Sequence, residues 1–283
     1  MSSLIRLARL QHAVPVPSCT LHVETLTVNP TAPWLVFANS LLTDITLWSP
    51  IMPALLSKGY NIILFDQRGH GRSTVPSPLL HTIPDLADDI AILLAHLHVP
   101  RIHALVGVSQ GGATALSFAT RHADKTARII ACDTQAVSPE SNRPAWDARI
   151  HLAQTEGMSA LATATARRWF PPGSRYHPDG GSKAHVVCNM IARTDISGFQ
   201  AGAHTLQEYD LLKTELLRSK VPALLVVGEK DGALPVGMEC LRTDWVREGG
   251  HVEFVVIEGS GHLPMLDNPQ RFSHVILNFL DPH

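Results

Sequence analysis

The chain has 283 residues, enough for one sizeable core with a small appended lid and too few to require two independent domains. It is 45% hydrophobic and 17% charged, with a formal net charge of −2, which leaves no charge excess to attract nucleic acid or an anionic membrane surface. Its four cysteines, Cys19, Cys132, Cys188 and Cys240, lie far apart and form no C-x-x-C pair, which argues against a disulfide framework or a zinc site.

The chain opens with MSSLIRLARLQHAV, where Arg6 and Arg9 interrupt the apolar stretch and spoil a secretory core. A tail leading into the first strand is expected here, with a weak targeting signal as the alternative. No run approaches the roughly 20 apolar residues of a membrane helix, and the expectation is a cytoplasmic protein.

The first clear strand-like run covers 34–38 and leads into Asn39-Ser40-Leu41-Leu42-Thr43-Asp44. A second run, 62–65, leads into FDQRGHGRS (65–73), a glycine-rich turn without phosphate-loop spacing, read as scaffold. The stretch 84–97 puts Leu86, Ile90, Leu93, Leu94 and Leu97 on one helical face, and Thr82 with Asp85 forms a capping box ahead of it. A run at 102–106 is followed by Gly107-Val108-Ser109-Gln110-Gly111-Gly112 and a helical stretch, 111–120. After a further run, 127–132, the alternation stops. From 139 to 207 no strand-like run occurs, and PPGSRYHPDGG (171–181) is a turn cluster. Runs at 223–227 and 253–257 and an amphipathic helix at 270–280 close the chain. Short apolar runs alternating with amphipathic stretches predict an α/β fold: a mostly parallel, doubly wound sheet. Residues 1–138 and 208–283 would form its core, with 139–207 a helical lid inserted between two strands.

Three positions carry chemistry. Ser109 sits on a strand–turn–helix elbow, where small neighbours let a serine hydroxyl stand exposed and the helix N-terminus faces a developing oxyanion. Asp231 follows the run 223–227, and His262 follows the run 253–257. A serine nucleophile needs a base, and the base needs an orienting acid. All three fall just beyond the carboxyl ends of their strands, the edge at which open α/β sheets bind ligands. Glu229 and Asp210 are rivals for the acid: the first leaves the strand two residues earlier, and the second reads as a helix N-cap. The amides of Leu41 and Gln110 are the candidate oxyanion donors, each worth about 3–4 kcal/mol in the transition state. Asn39 reads either as a pocket residue or as a turn-former bonding its own backbone. Most of the sixteen histidines, including His177, His185 and His204, read as surface residues without metal-ligand spacing.

ANSLLTDITLW (38–48), FDQRGHGRS (65–73), GVSQGGATAL (107–116), GEKDGALP (228–235) and GSGHLPMLDNP (259–269) together resemble the 3-oxoadipate enol-lactonases and their α/β-hydrolase relatives. The resemblance extends through ARRWF (166–170) and IARTDISGFQAGAHTLQEYDLL (191–212) and covers nearly the whole chain after residue 20. It implies a cofactor-free serine hydrolase opening a small lactone or ester, with no metal, a small-molecule substrate and no nucleic-acid or membrane partner. Ser109, His262 and Asp231 would be its triad, Leu41 and Gln110 its oxyanion hole, and Trp169 and Phe170 part of its pocket wall. Asn39, Leu42 and Leu263 are further pocket candidates, Leu42 standing where that family usually carries glycine. Arg167, Arg168 and Arg193 are candidates for a substrate carboxylate, at least two of them being expected on the surface. The same triad also serves perhydrolases and carbon–carbon bond hydrolases, and the fold hosts receptors and biosynthetic lyases or cyclases. Dehalogenases and epoxide hydrolases use a carboxylate nucleophile, and serine at 109 disfavours them.

Overall fold

The computed structural model describes residues 7–281, and a single eight-stranded sheet organises them. Its strands are β1 (Ala8–Val16), β2 (Cys19–Thr27), β3 (Trp34–Ala38), β4 (Asn61–Phe65), β5 (Ala104–Val108), β6 (Ile129–Cys132), β7 (Ala223–Gly228) and β8 (Val252–Ile257). They lie in the order β1-β2-β4-β3-β5-β6-β7-β8. β1 and β2 pair antiparallel, as do β2 and β4, and every other pair is parallel. The central strands β4 to β7 are buried along their whole length, as their unbroken apolar sequences require.

Helices α1 (Met52–Ser57), α2 (Ile83–His96), α3 (Gln110–Arg121), α8 (Leu234–Arg247), α9 (Pro264–Asp267) and α10 (Pro269–Leu280) accompany the sheet. The capping box at α2 is present in full, Thr82 accepting from the Asp85 amide and Asp85 from the Thr82 amide. Its buried face, with Leu86, Ile90, Leu93 and Leu94, is the face the spacing predicts. Between β6 and β7 the chain forms α4 (Arg143–Glu156), α5 (Met158–Trp169), α6 (Ala184–Ala192) and α7 (Ile196–Gln207), with α5 packed on α6 and α4 on α7. Among the described residues no helix is long and apolar enough to cross a membrane.

The β1–β2 hairpin is the main element that apolar patterning does not reveal. β1 is an edge strand with mostly exposed side chains, so burial imposes no apolar run on it. Residues 1–6 of the expected N-terminal tail lie outside the described residues, and from Ala8 the chain is strand. The run at 102–106 is displaced: Ile102 makes only an isolated bridge to Thr126, and β5 continues to Val108, directly against Ser109.

Candidate active site

Ser109 joins β5 to α3 with φ 56° and ψ −116°. A non-glycine residue held there stores strain of order 1–3 kcal/mol, and the surrounding backbone must enforce it. The Ser109 amide donates to Cys132 O (2.8 Å), while its carbonyl accepts from Thr134 Oγ1 (2.8 Å) and the Ala113 amide (2.9 Å). The glycines on either side are steric requirements. A Cβ on Gly107 would lie 1.9 Å from Gly111 O, and one on Gly111 would lie 2.1 Å from Ala38 O. That closeness lets the Gly111 amide donate to Asn39 O (3.0 Å), tying the elbow to the end of β3.

His262 follows β8. Its Nδ1 lies 2.7 Å from Asp231 Oδ2, its amide donates to Trp169 O (2.8 Å), and its ring stacks on the Trp169 indole at 5.5 Å. The Asp231 contact leaves Nε2 as the ring atom free for proton transfer. Ser109, Asp231 and His262 all line one cavity of about 270 Å³. No hydrogen bond joins the Ser109 hydroxyl to His262 among the described residues; in unliganded enzymes that contact commonly tightens only with substrate.

Burial works against ionisation of Asp231. The charge and hydrogen bond of His262, the neighbouring Asp133 and the Arg168 charge outweigh it, holding the carboxyl below its ordinary range. Asp133, one residue past β6, is the neighbour that sequence patterning does not disclose. Burial first, then the Asp231 charge, raises its carboxyl well above the ordinary range. Oxygens of Asp133 and Asp231 and a nitrogen of His262 lie within 4.8 Å of one another. Of the rival acids, Glu229 turns away to accept from the Gly259 amide (2.9 Å), and Asp210 caps the turn at Leu212 (3.0 Å).

The loop after β3 carries Leu42 at φ 70°, a left-handed position that favours glycine. Ser40 O accepts from the Thr43 amide (3.2 Å), Thr43 Oγ1 (2.8 Å) and Gln67 Nε2 (3.1 Å). Three donors on one carbonyl fix the Ser40–Leu41 peptide plane, and hence the direction of the Leu41 N–H. Gln67 Nε2 also donates to Gln110 Oε1 (3.0 Å), and Gln110 Nε2 donates to Gly202 O on α7 (3.0 Å). Gln67 thus joins the loop after β3 to the elbow. The sequence signal for it, a buried amide side chain two residues past the end of β4, is too common to single out.

The remaining pocket candidates divide. Leu41, Leu42 and Trp169 line the cavity. Asn39, Phe170 and Leu263 are fully buried and do not. Asn39 bonds neither cavity nor its own backbone: Nδ2 donates to Phe65 O (2.9 Å) and Oδ1 accepts from Trp48 Nε1 (2.8 Å). Phe170 packs on Tyr176. The three arginines also separate. Arg167 pairs with Asp179 on the surface (2.8 Å), Arg193 lies 3.6 Å from Asp44, and Arg168 lines the cavity. Arg149 joins Arg168 there, its guanidinium 4.4 Å from the Trp146 ring centre. Neither Arg149 nor Arg168 makes an ion pair among the described residues. The Arg168 side chain is solvent-exposed as a whole, but crowding by surrounding protein, with the Arg149 charge, pushes its guanidinium down to about 10 against the pull of Asp231, so it remains charged at neutral pH. Several histidines expected at the surface are buried: His70, His81 and His177.

Residues 33–269 match the family model for the alpha/beta hydrolase fold. The chain is 29% identical to 3-oxoadipate enol-lactonase 2 of Acinetobacter baylyi, over 86% of this chain and 87% of that protein. Among solved structures, the enol-lactonase from Burkholderia xenovorans LB400 superposes with a TM-score of 0.82 at 29% identity, covering 96% of this chain and 99% of that one. A malate-bound thermophilic esterase from Thermogutta terrifontis superposes with a TM-score of 0.82 at 26% identity, covering 96% and 98%.

Proposed function

The chain belongs to the alpha/beta hydrolase fold family, and from that premise we propose that it is a serine hydrolase opening a small lactone or ester that carries a carboxylate. One arrangement supports the reading most: the strained Ser109 elbow opens onto the same cavity as an imidazole held at 2.7 Å by Asp231. The enol-lactonases among its relatives favour a lactone. A cavity of about 270 Å³ fits a small substrate, and Arg149 and Arg168, lacking protein counter-ions, match an anionic group on it.

In the reaction, His262 Nε2 takes the Ser109 proton as the hydroxyl oxygen attacks the lactone carbonyl. The amides of Leu41 and Gln110 receive the negative charge of the tetrahedral intermediate, and Gln67 holds their spacing. Collapse breaks the ring C–O bond. The imidazolium protonates the departing oxygen, which stays tethered within the acyl-enzyme. Water, deprotonated by His262, then releases the hydroxy acid and restores Ser109. Asp231 fixes the productive tautomer throughout. The helices between residues 139 and 207 act as a cap, bringing Arg149, Arg168 and Trp169 over the nucleophile.

The test pairs lactones bearing a free carboxylate with their methyl esters, assayed with wild type and Arg168→Met. The acid forms are expected to have the lower KM. Arg168→Met should raise that KM by roughly ten- to a hundredfold, corresponding to a lost charged hydrogen bond, and leave the methyl ester's KM unchanged. Equal KM values for both forms in wild type would refute the anionic substrate.

A further inference from the structure

Asp133 is 1% exposed and sits at φ 44° one residue beyond β6. Its Oδ1 accepts from the Gly228 amide (2.8 Å), while Oδ2, also buried, has no donor partner. Across from it stands Asp231, whose Oδ2 accepts from His262 Nδ1. Two adjacent buried carboxylates of like charge repel strongly, and a proton shared between them removes the repulsion. The other charges around the pair are Arg168 from α5, acting on Asp231, and Asp267 from α9, a further acid facing Asp133. Among the described residues no lysine or arginine pairs with Asp133, and the His262 ring nitrogen lies within 4.8 Å of its carboxyl.

We infer that Asp133 is a positioning residue for the proposed reaction: at the pH of catalysis it is a neutral carboxylic acid, donating from Oδ2 to the Asp231 carboxylate. Asp231 then has one acceptor site filled by His262 and another by Asp133, which fixes the rotation of its carboxylate. The donated hydrogen bond also lowers the proton affinity of Asp231, so it stays ionised while facing the imidazolium. The same bond satisfies the otherwise orphaned Oδ2. The inference rests on Asp231 being the acid of the triad.

Asp133→Asn and Asp133→Ala distinguish this from a packing role. Asn keeps the Gly228 contact through Oδ1 and can donate from Nδ2, whereas Ala can do neither. The expected result is a kcat for Asn within about threefold of wild type, and for Ala at least about tenfold lower, the loss of one hydrogen bond to a charged group. The acid limb of the Ala kcat/KM profile should move toward higher pH, because an unshielded Asp231 holds the imidazolium more tightly. The infrared spectrum of wild type at neutral pH should show a protonated-carboxyl C=O band that Asn lacks. Asn as damaging as Ala, Ala indistinguishable from wild type, or no difference in that band would each overturn the inference. The infrared comparison needs no turnover. Wild type without Ser109-dependent activity would therefore remove the triad reading while the band still reports whether Asp133 is protonated.

Discussion

Two of the charged centres in this molecule, one around Arg68 and one around Asp231, are built on opposite plans. Around the turn after β4, Arg68 donates to both oxygens of Asp89 (2.6 Å each) and to Ser18 Oγ (3.0 Å), and Arg68 O contacts His70 Nδ1 (2.9 Å). Opposite charges meet there, both side chains are almost wholly buried, and the pair joins α2 to the turn between β1 and β2. Around Asp231 two acids sit side by side, Arg149 and Arg168 lack ion-pair partners, and the group faces a cavity. The first centre is internally satisfied. The second leaves charge and hydrogen-bonding capacity for a ligand, which is why we place the proposed reaction there.

Breaking the first centre should cost the most stability. Asp89→Leu leaves a buried guanidinium unpaired, and denaturant melts should show about 3–5 kcal/mol of destabilisation. Adding Arg68→Met should recover most of it, since both charges are then gone. A double variant as unstable as the single one would mean that this centre does more than neutralise itself.

Acid reaches the same region next. Burial pushes His70 and His81 down to about 4. Their folded values lie below the unfolded one, so the unfolded state binds more protons as pH falls. Stability is therefore complete above about pH 6.5 and declines toward pH 4, by about 3 kcal/mol for each histidine. Urea unfolding at several pH values should show the decline, and His70→Gln should flatten part of it. A slope that His70→Gln leaves unchanged would assign the loss to the carboxylates instead.

A smaller effect is expected at Gln67, which spans the two centres' neighbourhoods. Gln67→Leu should lower kcat about tenfold, near 1.4 kcal/mol, with KM and melting temperature little changed. A change in KM alone would make Gln67 part of the substrate pocket rather than a support for the oxyanion amides.

The contrast between the centres also explains what the sequence discloses. The placement of Ser109, Asp231 and His262 at one cavity is legible because each follows the carboxyl end of a strand, and buried strands announce themselves as apolar runs. The α2 capping box is legible because its bonds are local. Asp133, Gln67 and Arg149 act through partners 27 to 95 residues away along the chain or through a cavity that only packing creates, and nothing in their local sequence marks them. Asn39 and Phe170 show the converse: each lies beside a motif residue, but its side chain points into the core rather than the cavity.

The central claim, an activated serine at position 109, is tested most directly by a fluorophosphonate probe with intact-mass and peptide mapping. The account predicts one adduct per chain, located on Ser109, absent from Ser109→Ala and slowed in His262→Gln. A folded wild type that takes up no probe, or an adduct that persists in Ser109→Ala, would contradict it.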